Sequence, residues 1–92
     1  MALCVLRLRT VLERTGYSRS ALYARIKAGL FPRPIALGQR ASAWPEHEVD
    51  QILAAQIRGV SDEALHAEVD CIHAQRASFG LRGERNTLAV AA

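Results

Sequence analysis

Residues 10–29, Thr-Val-Leu-Glu-Arg-Thr-Gly-Tyr-Ser-Arg-Ser-Ala-Leu-Tyr-Ala-Arg-Ile-Lys-Ala-Gly, constrain the fold more than any other stretch of the chain. They read as two short helices with a glycine turn between them. Thr10 and Glu13 stand at capping-box spacing, in which hydroxyl and carboxylate each satisfy an orphan N–H of a first helix. Gly16 ends that helix, because glycine enters the left-handed conformation without a Cβ penalty. Ser18 offers a side-chain oxygen to cap a second helix, and Gly29 closes it. The spacing predicts helix one over residues 11–15 and helix two over 19–28. A turn this short sets the second helix steeply across the first, which is the arrangement of a helix-turn-helix.

The second helix has two faces. Leu22 and Ile26, one turn apart, point inward toward Val11 and Leu12. Arg19, Ser20, Tyr23, Ala24 and Lys27 share the other side. Phosphates take cations and N–H donors, and base edges take short or planar donors and acceptors, so this face suits the major groove of DNA. A solvated basic helix would carry the same residue types; the caps and the glycine turn favour the DNA reading.

Charge distribution points the same way. Residues 1–44 hold eight of the twelve Lys/Arg and one acid, Glu13, whereas the remainder holds four Lys/Arg and eight acids. The net charge of +3 conceals this asymmetry. A strongly cationic first half fits a polyanionic partner. The acidic second half faces solvent or meets the basic half of a neighbouring copy. Ninety-two residues make one domain with a small core, so stabilisation by DNA or by another subunit is expected. Cys4 and Cys71 form no C-x-x-C, which argues against a zinc finger or a disulfide framework. Met-Ala-Leu-Cys-Val-Leu is too short for a signal peptide, and no stretch reaches the length of a membrane span. A soluble, cytoplasmic, nucleoid-associated protein is expected.

Along the chain, residues 3–8 read as a short strand into the first helix, with Arg7 and Arg9 flanking its start. Pro32 and Pro34 exclude helix after Gly29. Residues 35–37 and 41–44 then form a β-hairpin with its tip at Gly38–Arg40, placing Ile35, Leu37 and Trp44 inward and Arg33 and Arg40 outward. Two strands are not stable by themselves, so the hairpin lies on the helices as a wing. Arg40, on the protruding turn, is suited to a phosphate or a narrow minor groove. Pro45 opens a third helix, with Glu46 and Glu48 at its positive end and Val49, Ile52, Leu53 and Ile57 as its apolar stripe. Ser61-Asp62-Glu63 starts a fourth helix running to about residue 77. Two uses compete for its stripe, Leu65, Val69 and Ile72: packing on the same domain or docking on a second copy. The second is favoured, because helices one to three and the wing look closed without it.

The expected fold class is mainly α with a small β-hairpin wing: a winged helix-turn-helix plus an additional C-terminal helix. Residues 3–58 form the DNA-binding domain, 60–79 an amphipathic helix for self-association, and 80–92 a disordered tail. On the fourth helix His66, Asp70 and His73 share a face at spacings of four and three. That spacing could serve a metal, but a fourth ligand is missing and a polar face explains it. His47 is read as surface. No phosphate-binding loop, dinucleotide fingerprint or nucleophile elbow is present. No enzyme activity, cofactor or metal is expected.

Residues 8–57 resemble the AlpA-type phage regulatory proteins and the related excisionases, with kinship to the helix-turn-helix of MerR regulators. The likeness rests on Thr15-Gly16-Tyr17-Ser18-Arg19-Ser20-Ala21-Leu22-Tyr23, then Phe31-Pro32-Arg33-Pro34-Ile35-Ala36-Leu37-Gly38, then Trp44 with Glu48-Val49. It implies a winged helix-turn-helix that binds double-stranded DNA at a promoter or attachment site of a prophage or other mobile element. The DNA-facing residues it implies are Ser18, Arg19, Ser20, Tyr23, Lys27, Arg33 and Arg40. It implies a transcriptional regulator, an excisionase or both, with self-association on DNA and an integrase as possible partners. The competing reading is an adaptor or assembly subunit, for example in phage DNA packaging, acting through the fourth helix.

Overall fold

The computed structural model describes residues 3–79. Seven elements follow one another: β1 (Val5–Leu6), α1 (Leu8–Thr15), α2 (Arg19–Lys27), β2 (Ile35–Ala36), β3 (Ser42–Pro45), α3 (Glu46–Arg58) and α4 (Asp62–Arg76). Residues 80–92, expected as a tail, lie outside the described residues.

The helix-turn-helix forms where the sequence places it. Gly16 sits at φ +80°, and its N–H donates to the Leu12 carbonyl at 2.8 Å. Thr15 reinforces the turn: its hydroxyl donates to the Val11 carbonyl at 2.8 Å and accepts the Tyr17 N–H at 3.3 Å. Ser18 Oγ accepts the Ala21 N–H at 3.1 Å and so caps α2. The capping box at Thr10 and Glu13 does not form. α1 begins earlier, at Leu8, after Arg7, which caps through its backbone without a side-chain bond. Leu8 packs on the core beside Val11 and Leu12. Those three positions share one helical face, and their burial draws the helix back toward β1.

The wing has three strands rather than two. The sheet is antiparallel in the order β1-β3-β2, with Val5 opposite Pro45, Leu6 opposite Trp44, Ile35 opposite Ala43 and Ala36 opposite Ser42. Pairing with β1 relieves the instability of an isolated hairpin. The turn is closed by the Leu37 N–H on the Ala41 carbonyl at 2.8 Å, which leaves Gly38–Arg40 at the tip. Leu37 was expected inward; it is 48% exposed, because β2 stops at Ala36 and Leu37 already belongs to the turn. Pro45 precedes the first residue of α3 instead of opening it. The Glu46 N–H, an orphan at the helix start, donates to the Cys4 carbonyl at 2.8 Å.

Trp44 is the centre of the core. It is fully buried, meets Phe31 edge-on at 6.5 Å, and donates its indole N–H to the Pro32 carbonyl at 2.9 Å. Val11, Leu22, Val49 and Ile52 belong to the same buried cluster. The buried stripe of α3 is Val49, Ile52 and Ala55, whereas Ile57 is 86% exposed. The helix that follows α3 is α4. It doubles back after Gly59, which takes φ +78°, and packs along α3. Leu65, Val69 and Ile72 are almost completely buried in the same cluster as Trp44. The expected docking of this stripe on a second copy is therefore corrected: α4 spends its apolar face on its own chain. The core of helices one to three and the wing was open on that side.

Candidate nucleic-acid interface

α2 turns its apolar residues inward as the spacing required. Leu22 is fully buried and Ile26 partly so. Arg19, Ser20, Tyr23 and Lys27 are all exposed on the helix. Ser18 is exposed too, but its oxygen already accepts the Ala21 N–H, so the hydroxyl has its proton left to donate. The first turn of α2 contains no acid that would oppose an anion. Arg9 of α1 and Arg19 of α2 border one shallow hollow with Leu8, Leu12 and Glu13. The short turn at Gly16 brings these two arginines to the same hollow.

Arg33 and Arg40 are exposed on the segment before β2 and on the wing turn. Arg40 is carried by its turn alone. Arg33 differs, because its main chain is held from outside the wing: its N–H donates to His73 Nε2 at 3.1 Å, and its carbonyl accepts from Arg76 Nη2 at 2.7 Å.

The pairing of charges separates these residues from the rest. Arg14 meets Glu46 at 2.8 Å and Asp50 at 3.6 Å, Arg58 reaches Glu68 at 4.0 Å, and Arg76 forms a two-pronged pair with Glu48. Among the described residues, Arg7, Arg9, Arg19, Arg25, Lys27, Arg33 and Arg40 meet no carboxylate within ion-pair distance. Every one of them precedes β3. Glu46, Glu48, Asp50 and Glu68, on α3 and α4, are taken by Arg14, Arg76 and Arg58 instead. Glu48 is the clearest case. Its position at a helix start explained it in the sequence, yet it is 3% exposed and held by Arg76. A carboxylate so deeply buried costs several kcal/mol unless a counter-charge and hydrogen bonds compensate.

Arg25 was not singled out from the sequence. Its guanidinium lies over the Tyr17 ring at 5.1 Å, and its Nε is buried without an acceptor. Tyr17 is itself fixed to α3, since its hydroxyl accepts from Gln56 Nε2. The signal available was spacing: Arg25 follows Leu22 by three residues, between the buried face and the exposed one.

The His66/Asp70/His73 face divides in two. His66 Nδ1 pairs with Asp70 Oδ2 at 3.2 Å, while the His66 ring lies on Gly29, where a Cβ would stand 2.6 Å from it. His73 is engaged with Arg33, and its pKa is lowered by burial first, then by the Arg33 and Arg76 charges. No group of three His, Cys, Asp or Glu among the described residues is placed to hold a metal ion. No helix among them is long and apolar enough to cross a membrane.

The sequence profile of the family described as prophage CP4-57 regulatory protein (AlpA) matches residues 4–57, from β1 to the end of α3. The chain belongs to the AlpA family. A relative by sequence is the uncharacterized protein ORF88 of Enterobacteria phage P4, 39% identical over 54 residues. That alignment covers 59% of this chain and 61% of the phage protein, so the chain spans about three fifths of its relative's length. No solved structure matches. The AlpA family is a prophage regulatory family. Its matched segment contains every residue of the candidate interface and stops before α4.

Proposed function

We propose that this AlpA-family chain is a sequence-specific, double-stranded DNA-binding regulator of a prophage or integrative element, acting as a transcriptional regulator, an excisionase or both. The observation that supports this best is the unpaired charge: seven cations between residues 7 and 40 meet no carboxylate, while Glu46, Glu48, Asp50 and Glu68 are engaged with Arg14, Arg76 and Arg58. A folded chain that served only itself would gain from neutralising them. In this reading Arg19, Ser20, Tyr23 and Lys27 enter the major groove, Ser18 donates to a phosphate at the start of α2, and Arg33 and Arg40 contact the backbone or the flanking minor groove. An integrase and further copies of this chain are the partners such a regulator would meet on DNA.

The test is selection of duplexes from a random pool, followed by titration of the enriched duplex at several salt concentrations. The expected result is a sequence preference, with a log–log salt slope that falls by about 0.9 for each phosphate contact removed. Equal affinity for every duplex, or binding indifferent to salt, defeats the reading.

A further inference from the structure

The segment Phe31-Pro32-Arg33-Pro34 joins α2 to the wing, and its backbone has few ways to be held. Prolines have no N–H, so between residues 32 and 34 Arg33 carries the one main-chain donor. No sheet partner takes it. The Pro32 carbonyl accepts from the Trp44 indole at 2.9 Å. Both main-chain groups of Arg33 go to α4, the N–H to His73 Nε2 and the carbonyl to Arg76 Nη2. His73 and Arg76 are three residues apart on one face of that helix. Arg76 is in turn anchored by Glu48, the buried carboxylate in the first turn of α3.

We infer that His73 and Arg76 are positioning residues for DNA binding: they clamp the main chain of Arg33 and thereby set the direction in which its side chain, and the wing that follows, leave the body of the protein. The inference rests on the DNA-binding reading above. It places part of the DNA reader in a helix that lies outside the family's matched segment, which ends at residue 57. An interface side chain acts only within a narrow range of positions, so freedom at its root dilutes the contact. Arg76 does this with a planar fork that reaches carboxylate and carbonyl together, which a lysine cannot do.

The experiment uses the full chain and a short fluorescent duplex enriched by the wild type from a random pool. His73→Ala/Arg76→Lys keeps the charge opposite Glu48 but releases Arg33. It is expected to bind about tenfold more weakly, with a salt slope shallower by about 0.9. Arg33→Ala should do the same, and adding Arg33→Ala to the double variant should cost nothing further, the non-additivity of groups that act as one. His73→Gln, which keeps an acceptor for the Arg33 N–H, should restore binding relative to His73→Ala. Wild-type affinity and slope in the folded double variant, or full additivity with Arg33→Ala, overturns the inference. Should the double variant melt below the assay temperature, His73→Ala alone decides by the same two readings. A wild type that enriches no duplex sinks the DNA reading and this inference with it; wild-type binding with unmoved variants sinks the inference alone.

Discussion

On α3 and α4 four acids meet arginines of the same chain: Glu48 holds Arg76, Glu46 and Asp50 hold Arg14, and Glu68 reaches Arg58. Across α2 and the wing, Arg19, Lys27, Arg33 and Arg40 meet no carboxylate among the described residues. Arg14 and Arg58 are exposed as Arg19, Lys27, Arg33 and Arg40 are, so exposure does not explain the contrast. The difference teaches where to look for stability and where for binding. A charge whose partner is internal belongs to the fold, and breaking it costs stability in proportion to its burial, most at the buried Glu48–Arg76 pair and little at the exposed Arg14 and Arg58 pairs. A charge without an internal partner contributes little to the fold, and removing it should register on an external polyanion.

The largest expected effect tests the first half of that statement. Arg76→Met leaves the 3% exposed Glu48 without a counter-charge and should cost about 3 kcal/mol. The urea midpoint is the measurement. A loss below about 0.5 kcal/mol would mean that the rear pair is ordinary surface charge and the contrast false. Next come the glycines that aim the helices. Gly29→Ala meets both a positive φ and the His66 ring at 2.6 Å, whereas a Cβ on Gly16 meets nothing within 4 Å. Gly16→Ala should cost about 1 kcal/mol from backbone strain, and Gly29→Ala about 0.5 kcal/mol more, because the half-exposed His66 ring must swing aside. His66→Ala should recover only the steric part of the second. Equal costs would show that α4 does not press on the end of α2.

Arg40→Ala tests the front region. Its effect on the urea midpoint should stay within about 0.5 kcal/mol, while its salt slope on the selected duplex falls by about 0.9. Arg14→Ala, the paired control, should leave that slope unchanged. The smallest effect is one of pH. His73 accepts the Arg33 N–H in its neutral form, and its folded pKa lies below the ordinary imidazole value. The unfolded chain therefore binds the proton first as pH falls. The stability from this contact is complete above about pH 6.5 and is lost as pH drops through that value toward the lower folded pKa. Urea midpoints of wild type and His73→Ala should converge over that window. A difference that stays constant with pH would remove His73 from the contact.

The helix-turn-helix was legible because its signals act within a few residues. Gly16 and Ser18 take the roles their chemistry allows, and Gly29 the left-handed backbone expected of it. The wing and its tip were legible from Pro32, Pro34 and Gly38, and the family likeness from motifs in the same stretch. The errors share a different cause. Thr10 had the right spacing for a cap, but the burial of Leu8 outweighed it. Ile57 fitted an apolar stripe, yet Ala55 is the buried residue toward that end of α3 and Ile57 is exposed. The role of Glu48 as a buried ion-pair member was invisible, since its partner lies 28 positions away.

What the amino-acid order decided by itself was thus local: where helices stop, where the chain turns, and which side of α2 is apolar. Backbone torsion, cap hydroxyls and proline chemistry are properties of neighbours, and neighbours are given. What the tertiary structure alone decided was how the charges pair and where α4 goes. Arg33 is met by His73 and Arg76 across 40 and 43 positions. Such contacts arise when burying Leu65, Val69 and Ile72 draws one helix across the others, and apolar burial, being non-directional, does not announce in advance which polar groups it will bring together.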